Sequence, residues 1–485
     1  MKTDTIAAIA TALSDSGIGI IRVSGEEAIP IVHKIYRNKR NEDVLSNYQS
    51  HTIHYGFIIE KNGSLIDEVM VSVMKAPHSY TTEDTVEINC HGGVLMMKKI
   101  LMTVIEAGAR LAEPGEFTKR AFLNGRIDLS RAEAVMDTIQ AKSQFALKAS
   151  VKQLRGSVFR KIKELREKIL FEIAFIESAL DDPEHISLDG YAERLSNQVS
   201  SVSKELRKLL DSVDGGKMLK EGIRTVIVGK PNVGKSSLLN LFLGEDRAIV
   251  TDVAGTTRDT LEETVSFGDI VLHITDTAGI RNTEDVVEKI GVKKAITISE
   301  DADLILYVID SSVPLDENDM DIVRMIRNKK IIVLLNKSDL DEVVDVSSVE
   351  MLFSEVFEKN CHVYELSDID QKLEEKQNEN ISLIKISAKE NDGLDSLVDL
   401  IKKMFFHGMI SYDDEVCITS SRHKEALFEA LDSMNQVHIS LENSMPEDFY
   451  SIDLMNAYAS LGKIIGEEVE DDLVNEIFSK FCMGK

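Results

Sequence analysis

The sequence predicts a multidomain α/β protein, in which a domain built on a parallel sheet with helices on both faces is inserted into an all-helical domain and preceded by an α+β domain. Three observations support this prediction. Short apolar runs alternate with helical segments through residues 222–404, as in βαβ units. Apolar residues at helical spacing come before and after that region. The first 124 residues combine β-rich runs with glycine turns.

The domain boundaries follow from these changes of pattern. We predict an α+β domain at 1–124, the first part of the helical domain at 125–219, the inserted domain at 220–405 and the second part of the helical domain at 406–485. Within the first domain we expect strands at 19–23 and 69–73 and a helix at 93–107.

The composition, 43% hydrophobic and 29% charged over 485 residues, is typical of a soluble globular protein. The N-terminus has no basic region followed by an apolar run, and no stretch approaches the ~18 apolar residues of a membrane span. We therefore expect a cytoplasmic protein with no membrane partner. The formal net charge of −27 repels nucleic acid at long range. We expect no DNA partner, and contact with RNA only through local basic patches or a partner protein.

Two apolar stripes predict the helical domain. The first comprises Leu154, Val158, Ile162, Leu165, Ile169, Ile173, Ile176 and Leu180, and the second Leu195, Val199, Val202, Leu206 and Leu209. We expect Asp181-Asp182-Pro183 to end the first helix and Gly215-Gly216 to end the second. Because each helical flank must cover its stripe, the segments before and after the inserted domain are expected to pack together. Two independent helical domains are the alternative.

The pattern GxxxxGK[ST] occurs at residues 229–236, after a strand and at the start of a helix. Its glycines let backbone N–H groups turn toward phosphate oxygens at a helix N-terminus. Lys235 would meet the β- and γ-phosphates, and the Ser236 hydroxyl would bind Mg²⁺. The pattern therefore predicts a P-loop nucleotide site.

Three further motifs follow in the order found in GTPases. They are DTAG at 276–279, NKSD at 336–339 and SAK at 387–389. Asp276 would hold Mg²⁺ through water, and the Gly279 N–H would contact the γ-phosphate. The Asp339 carboxylate can accept the N1–H and the exocyclic amine of guanine, which adenine does not offer, and the Ala388 amide would reach guanine O6. The inserted domain is therefore predicted to be a P-loop GTPase domain.

A threonine-rich segment, TDVAGTTRD at 251–259, would supply a further Mg²⁺ ligand, although spacing does not decide which threonine serves. The candidate GTP-binding residues are Asn232, Val233, Gly234, Lys235, Ser236, Ser237, Thr251, Asp252, Val253, Ala254, Gly255, Thr256, Thr257, Asp276, Thr277, Ala278, Gly279, Asn336, Lys337, Asp339, Ser387, Ala388 and Lys389.

Ile280 stands where Ras-like GTPases carry the glutamine that orients the attacking water. An apolar side chain cannot hold a water by hydrogen bonding. Hydrolysis therefore needs another group to position water and another source of positive charge.

The motifs GKPNVGKSSLLN, TDVAGTTRD, DTAGIR and FCMGK, with PGEFTKRAFLNGRIDL upstream, resemble the MnmE (TrmE) family of tRNA-modification GTPases, and the resemblance runs from residue 4 to residue 485. It implies an N-terminal folate-binding and dimerisation domain, and a homodimer that joins the flavoprotein MnmG in a heterotetramer. It also implies that the complex installs aminomethyl or carboxymethylaminomethyl groups on C5 of the wobble uridine (position 34) of certain tRNAs. GTP hydrolysis would be stimulated by K⁺, which takes the place of an arginine finger.

The resemblance also implies roles for individual residues of the GTPase domain. The K⁺ ligands would be the Asn232 side chain, the backbone oxygens of Thr251 and Val253, and Thr256. Thr257 would complete the Mg²⁺ coordination begun by Ser236, and Glu288 would orient the attacking water. Without the resemblance, the sequence around Glu288 predicts only a solvated carboxylate on a helix face.

For the N-terminal domain, the resemblance implies binding of a tetrahydrofolate derivative, in the 5-formyl or 5,10-methylene form, by Arg22, Glu87, Arg126 and Lys485. Family members can carry lysine at position 126, and arginine keeps the charge but not the point geometry. The alternative function is a ribosome-assembly GTPase of the Era or Der kind. Such proteins lack the folate-type domain, and no KH-like GXXG module is evident here.

One departure from the family pattern is the length of about 47 residues between Asp339 and Ser387, with an acidic, low-complexity middle at 368–377. We expect a solvated surface excursion.

Overall fold

The structure, a computed structural model, describes residues 4–484 apart from 41, 43–44, 183, 186–188, 245–261, 268, 277–301, 328, 358–361, 366–379, 407–415, 468–470 and 483. The chain divides into two units. The first comprises Met1–Ile139, Val151–Leu206 and Ala426–Lys485, and the second Gln140–Ser150 and Arg207–Glu425.

The first unit contains a seven-stranded sheet. Its strands are β1 (Ile6–Ile9), β2 (Ser16–Ser24), β3 (Tyr36–Asn38), β4 (Thr52–Ile59), β5 (Leu65–Met74), β6 (Thr85–Gly92) and β7 (Arg110–Leu111), in the order β3-β4-β5-β6-β2-β1-β7. All neighbours pair antiparallel except β1 and β7. Helices α1 (Ala28–Ile35) and α2 (Val94–Ala107) bury Val32, Met97 and Ile100 in its core, so this domain is α+β as predicted.

The remaining helices of the first unit come from both ends of the chain. They are α3 (Glu116–Leu123), α4 (Leu129–Gln140), the end of α5 (Gln144–Leu154), α6 (Ser157–Asp181), the start of α7 (Tyr191–Glu221), most of α12 (Ser421–Glu442), α13 (Glu447–Ile465) and α14 (Asp471–Ser479). Helix α6 lies along α13, with Arg166 paired with Glu467 and the Ser451 hydroxyl donating to Glu177 at 2.8 Å. The flanks on either side of the inserted domain therefore pack together.

The first apolar stripe was predicted to lie on one helix from Leu154, which is wrong at its start. Helix α5 ends at Leu154, and α6 begins at Ser157 after Gly156, whose φ of +85° is a left-handed value. Leu154 is 37% exposed, and the buried stripe begins at Val158 on α6. The predicted end is correct, since α6 stops at Asp181.

The second unit is built on a seven-stranded sheet. Its strands are β8 (Ile223–Val228), β9 (Glu262–Phe267), β10 (Ile270–Asp276), β11 (Leu304–Asp310), β12 (Ile331–Asn336), β13 (His362–Glu365) and β14 (Asn380–Lys385), in the order β13-β14-β12-β11-β8-β10-β9. All pairs are parallel except β9 with β10.

Helices cover both faces of this sheet, which explains why its central strands are apolar throughout. Helices α8 (Lys235–Gly244) and α11 (Leu394–Phe406) pack on one face, with Phe242 and Leu400 buried there. Helices α9 (Glu317–Met325) and α10 (Val346–Phe357) pack on the other, with Val323 and Phe353 buried. The predicted fold class is confirmed.

Gly215-Gly216 does not end helix α7, which continues to Glu221. A Cβ on Gly216 would lie 2.1 Å from the carbonyl oxygen of Ile418, so glycine at this position permits close backbone packing within a continuous helix. The helix ends before Gly222, whose φ is +83°.

The residues between Asp339 and Ser387 include α10 and the edge strand β13, which bury Val349, Phe353 and Val363. Helix α10 and strand β13 are therefore part of the folded core, and the surface excursion expected for the acidic middle stays a prediction. The acidic segment 368–377 lies outside the described residues. None of the helices in the described ranges has the length and apolar character that crossing a bilayer requires.

Candidate nucleotide-binding site

The phosphate-binding pattern forms a loop between β8 and α8. Gly229 has φ +152°, and a Cβ there would lie 2.4 Å from the Val308 carbonyl oxygen. Gly234 has φ +103°, and a Cβ there would lie 2.1 Å from Asn336 Nδ2. Asn232 adopts φ +66°, which is uncommon for a residue other than glycine. The two glycines are therefore required by conformation and by close contact.

Lys235, at the start of α8, directs its ammonium group back over this loop. Its Nζ donates to the carbonyl oxygens of Gly229 at 2.8 Å and Lys230 at 2.7 Å. Ser236 and Ser237 follow in the first turn and are exposed, whereas Val233 is buried. A lysine cation, a serine hydroxyl and a helix N-terminus thus lie together, an arrangement suited to phosphate and to a hard cation such as Mg²⁺.

The base-recognition motifs follow β12 and β14, the two strands next to each other in the sheet. Asn336 is 2% exposed. Its Nδ2 donates to the Val233 carbonyl oxygen at 2.8 Å, and its Oδ1 accepts from the Ala388 N–H at 3.0 Å. We predicted Asn336 as a guanine-site residue from sequence. In the structure its amide connects the phosphate loop to the loop that carries Ala388.

The Asp339 carboxylate is oriented by Ser387, whose hydroxyl donates to Asp339 Oδ1 at 2.7 Å. This hydrogen bond has the largest effect on the pKa of Asp339, and together with a backbone hydrogen bond and the charges of Lys389 and Lys337 it outweighs the opposing effect of burial and holds the pKa below its usual value. Lys389 Nζ lies 3.9 Å from Asp339 Oδ2. The carboxylate is therefore ionised at neutral pH and available to accept two N–H groups of a base.

Lys337 supports the same loop. It has φ +65°, and its Nζ forms an ion pair with Asp310 Oδ2 at 2.5 Å. Burial acts to raise the pKa of Asp310, but hydrogen bonds from Lys337 and Ser312 outweigh it and hold the pKa below its usual value. The Asp310 carboxylate thus stays charged and fixes Lys337 at the end of β12.

The described candidate residues converge at one edge of the sheet. The phosphate loop follows β8, the Asn336 and Asp339 motif follows β12, and the Ser387 motif follows β14. Because these strands are parallel, their carboxyl ends share one edge, where ligands bind in open α/β sheets. Asp276 is the last residue of the neighbouring strand β10.

Several predicted site residues lie outside the described part of the chain. They are Thr251, Asp252, Val253, Ala254, Gly255, Thr256, Thr257, Thr277, Ala278, Gly279, Glu288 and Lys485, and Ile280 lies outside it as well. The predicted Mg²⁺ and K⁺ ligands in the described part are Ser236 and Asn232.

The first unit brings together the three described residues of the predicted folate site. Arg22 Nε donates to Glu87 Oε1 at 2.8 Å, and Arg22 Nη1 donates to the Gly484 carbonyl oxygen at 3.0 Å. The Arg22 and Arg126 guanidinium groups lie 5.7 Å and 4.9 Å from the ring centroid of Tyr80. Two cations, a carboxylate and an aromatic face therefore lie close together.

Sequence reasoning did not find Tyr80 or the Gly484 carbonyl as parts of this cluster. Tyr80 precedes the strand that carries Glu87, and its hydroxyl is 2.9 Å from Thr118 Oγ1. Tyr80 belongs to no motif, and Gly484 lies in the FCMGK motif, which did not indicate a contact between its carbonyl oxygen and Arg22.

Comparison with known families decides the relationship. The family model described as the MnmE helical domain matches residues 129–482, well over half of the chain, and the model described as the GTP-binding protein TrmE N-terminus matches residues 5–126. The chain belongs to the MnmE (TrmE) family.

Relatives of the MnmE family align over the full length. A protein of Lachnoclostridium phytofermentans named tRNA modification GTPase MnmE is 54% identical over 485 residues, covering 100% of both chains. One of Clostridioides difficile with the same name is 46% identical over 482 residues, covering 99% of both. A solved structure of Aquifex aeolicus Era bound to GDP and AlF4⁻ is 29% identical over 44% of this chain and 67% of that chain, with a TM-score of 0.26, too low to support an argument.

Membership of the MnmE family confirms the resemblance inferred from the motifs. It also agrees with the described geometry, in which the residues predicted to bind phosphate and those predicted to bind guanine share one sheet edge. The protein is a GTP hydrolase of this family.

Proposed function

We propose that this protein is a K⁺-stimulated GTPase that acts with a flavoprotein of the MnmG kind to install the aminomethyl or carboxymethylaminomethyl group on C5 of the wobble uridine of certain tRNAs. A tetrahydrofolate derivative supplies the one-carbon unit. The observation that supports this most is the 54% identity, over the whole of both chains, to a relative named tRNA modification GTPase MnmE.

In the proposed hydrolysis, Lys235 and the N-terminus of α8 bind the β- and γ-phosphates, and Asp339 binds guanine. The exposed Ser236 hydroxyl and the Asn232 side chain are suited to Mg²⁺ and K⁺ respectively, since both are hard cations that take oxygen ligands. We propose Thr257 as the second Mg²⁺ ligand, and Thr251, Val253 and Thr256 as the other K⁺ ligands.

Two further assignments rest on the resemblance. We propose that Glu288 orients the attacking water, which Ile280 cannot do. We also propose that two GTPase domains of a homodimer meet during hydrolysis, and that the homodimer forms through the N-terminal domain and binds MnmG in a heterotetramer in the cytoplasm.

The proposed folate site is the cluster of Arg22, Glu87, Arg126 and Tyr80, with Lys485 as a further member. It fits the ligand because a folate combines a flat heteroaromatic ring with carboxylates. Aromatic faces and arginine forks are the groups that bind such a molecule. Arg22 is mostly buried and already oriented by Glu87, so the cluster is partly organised.

The test is mass spectrometry of wobble nucleosides from cells that lack the protein, complemented with wild-type chain, Lys235→Ala or Arg22→Ala. We expect C5-modified uridine to disappear, to return with the wild type, and to stay absent with both variants. GTP turnover in vitro should fall for Lys235→Ala alone. A normal nucleoside profile without the protein would overturn the tRNA assignment and leave GTP hydrolysis standing.

Stimulation by K⁺ is tested separately, by measuring GTP turnover in KCl and in NaCl over a dilution series. We expect faster turnover in KCl, and a fall in specific activity as the protein dissociates to monomers. Equal rates in the two salts would refute the proposed role of K⁺, and a specific activity that does not fall on dilution would refute the role of dimerisation.

A further inference from the structure

Lys230, the second residue of the phosphate loop, forms an ion pair that the loop pattern does not require. The pattern GxxxxGK[ST] places no restriction on that position. Lys230 Nζ lies 2.6 Å from Asp319 Oδ2 and 3.1 Å from Asp316 Oδ2. The side chains of Lys230 and Asp319 are 16% and 1% exposed. This is therefore a largely desolvated pair within the second unit, distinct from exposed pairs of little energetic effect.

Asp319 is held in place independently of Lys230. Its Oδ1 accepts from the hydroxyl of Tyr307 on β11 at 2.8 Å, and its Oδ2 accepts from the Asp316 N–H at 2.9 Å. Asp316 and Asp319 together form the capping box of helix α9. The carboxylate that meets Lys230 is thus fixed by both a central strand and a helix N-terminus.

The backbone of Lys230 contacts the lysine that binds phosphate. The Lys230 carbonyl oxygen accepts from Lys235 Nζ at 2.7 Å, beside the contact of Lys235 with Gly229 at 2.8 Å. The side chain of Lys230 is therefore fixed by Asp319, while its carbonyl oxygen accepts a hydrogen bond from Lys235. A shift of Lys230 would move one of the two oxygens that orient the Lys235 ammonium.

We propose that the Lys230–Asp319 pair is a positioning device for Lys235, fixing the Lys230 carbonyl oxygen so that the Lys235 ammonium faces the β-phosphate of a bound guanine nucleotide. Lys230 and Asp319 are positioning residues, since neither has to touch the nucleotide. The proposal rests only on guanine-nucleotide binding at the P-loop, and is independent of tRNA, folate and the partner flavoprotein.

The test compares the affinities of GDP and GMP in the full chain. GMP has no β-phosphate, so positioning of Lys235 affects GDP alone, whereas general damage to the domain weakens both. The variants are Lys230→Met, Asp319→Asn, their combination and Lys230→Arg. The matched control is Asp321→Asn on the same helix, because Asp321 is exposed and pairs with Arg324 at 2.8 Å.

We expect Lys230→Met and Asp319→Asn each to weaken GDP binding about tenfold, which equals ~1.4 kcal/mol. The affinity for GMP should change by less than about twofold, which is the few tenths of a kcal/mol expected when a substitution does not affect the binding of a ligand. The double variant should resemble the weaker-binding single variant, since both changes remove one interaction. Lys230→Arg should recover most of the affinity, and Asp321→Asn should match the wild type.

Unchanged GDP affinity in both single variants would overturn the proposal, and so would equal losses for GDP and GMP. Additive losses in the double variant would show that the two residues act separately, which also contradicts it. If Asp319→Asn fails to fold, Lys230→Met and Lys230→Arg still test the proposal, because Lys230 lies in a loop and its substitution is expected to leave the domain folded. Failure of the wild-type chain to bind GDP would instead refute the GTPase assignment.

Discussion

Asn336→Ala should weaken both halves of the nucleotide site, although its side chain does not have to touch the nucleotide. The change removes a donor 2.8 Å from the Val233 carbonyl oxygen and an acceptor 3.0 Å from the Ala388 N–H. The residue is 2% exposed, so water does not readily replace either partner. Each unsatisfied buried group costs about 1–3 kcal/mol. Because two groups lose their partner, we expect a loss of about 2–6 kcal/mol in the free energy of unfolding of the GTPase domain.

The same change should loosen the alignment of the phosphate loop with the loop that carries Ala388. We expect GDP affinity to fall on the order of 10²-fold, a loss of ~2.7 kcal/mol. The assay is titration with fluorescent GDP and, in parallel, with the inosine analogue, which lacks the exocyclic amine that Asp339 would accept. Ser338→Ala is the control, since its side chain is exposed in the same loop.

Because Asn336 connects both loops, its removal should also reduce the preference for GDP over the inosine nucleotide. Wild-type affinity for GDP in Asn336→Ala would refute this reasoning. A large loss of affinity with the base preference fully retained would show that Asn336 supports only the phosphate side.

Two further predictions concern stability. Gly216→Ala should destabilise the second unit by about 1–3 kcal/mol in denaturant unfolding, because the added Cβ would lie 2.1 Å from the Ile418 oxygen. Alanine favours helix more than glycine does, so a stabilised variant would contradict this close approach. Glu116→Gln should cost about 2 kcal/mol at neutral pH, because it removes the charge that accepts from Arg110 and Arg120. Burial acts to raise the pKa of Glu116, but hydrogen bonds from Arg110, the Glu113 N–H and Arg120 outweigh it and the net pKa is lowered from 4.5. The stabilisation is therefore present above pH 4.5 and is lost as the pH falls through the lower folded-state pKa. The free energies of unfolding of wild type and variant should converge as the pH is lowered. A difference that stays constant with pH would refute this.

The nucleotide motifs could be predicted from sequence because they specify local backbone geometry. Gly229 and Gly234 occupy positive φ at contacts that exclude a side chain, so their spacing alone identifies the loop. The parallel sheet could also be anticipated, since apolar runs that alternate with helices favour parallel pairing.

The incorrect predictions came from features that local pattern does not encode. The low helix propensity of glycine predicted that α7 ends at Gly215-Gly216. In the structure the helix continues, because glycine at 216 allows the backbone of Ile418 to pack closely against it. The residues from Leu154 to Val158 keep helical spacing in the sequence, but the backbone turns at Gly156 and Leu154 is exposed on the preceding helix. A tertiary contact therefore overrides helix propensity at Gly216, whereas Gly156 separates two helices as the low helix propensity of glycine favours.

The parts of the site that sequence did not predict depend on residues far apart in the chain. Asn336 matches a guanine motif, but its contacts with Val233 and Ala388 are visible only once three strands are aligned. The Lys230–Asp319 pair joins a loop after β8 to a helix after β11. Neither relationship leaves a spacing signal.

The hydrogen bond from Arg22 to the Gly484 carbonyl oxygen has a consequence for biosynthesis, since its two ends are 462 residues apart in sequence. At a translation rate of about 5–20 residues per second, Gly484 is added roughly 25–90 s after Arg22. The N-terminal sheet has time to fold on the ribosome while this cluster is still incomplete. The backbone at Gly484 is closely packed, since a Cβ there would lie 2.3 Å from the Ile9 oxygen. An affinity tag fused next to Gly484 would therefore disturb its contact with Arg22, and a tag is better placed elsewhere.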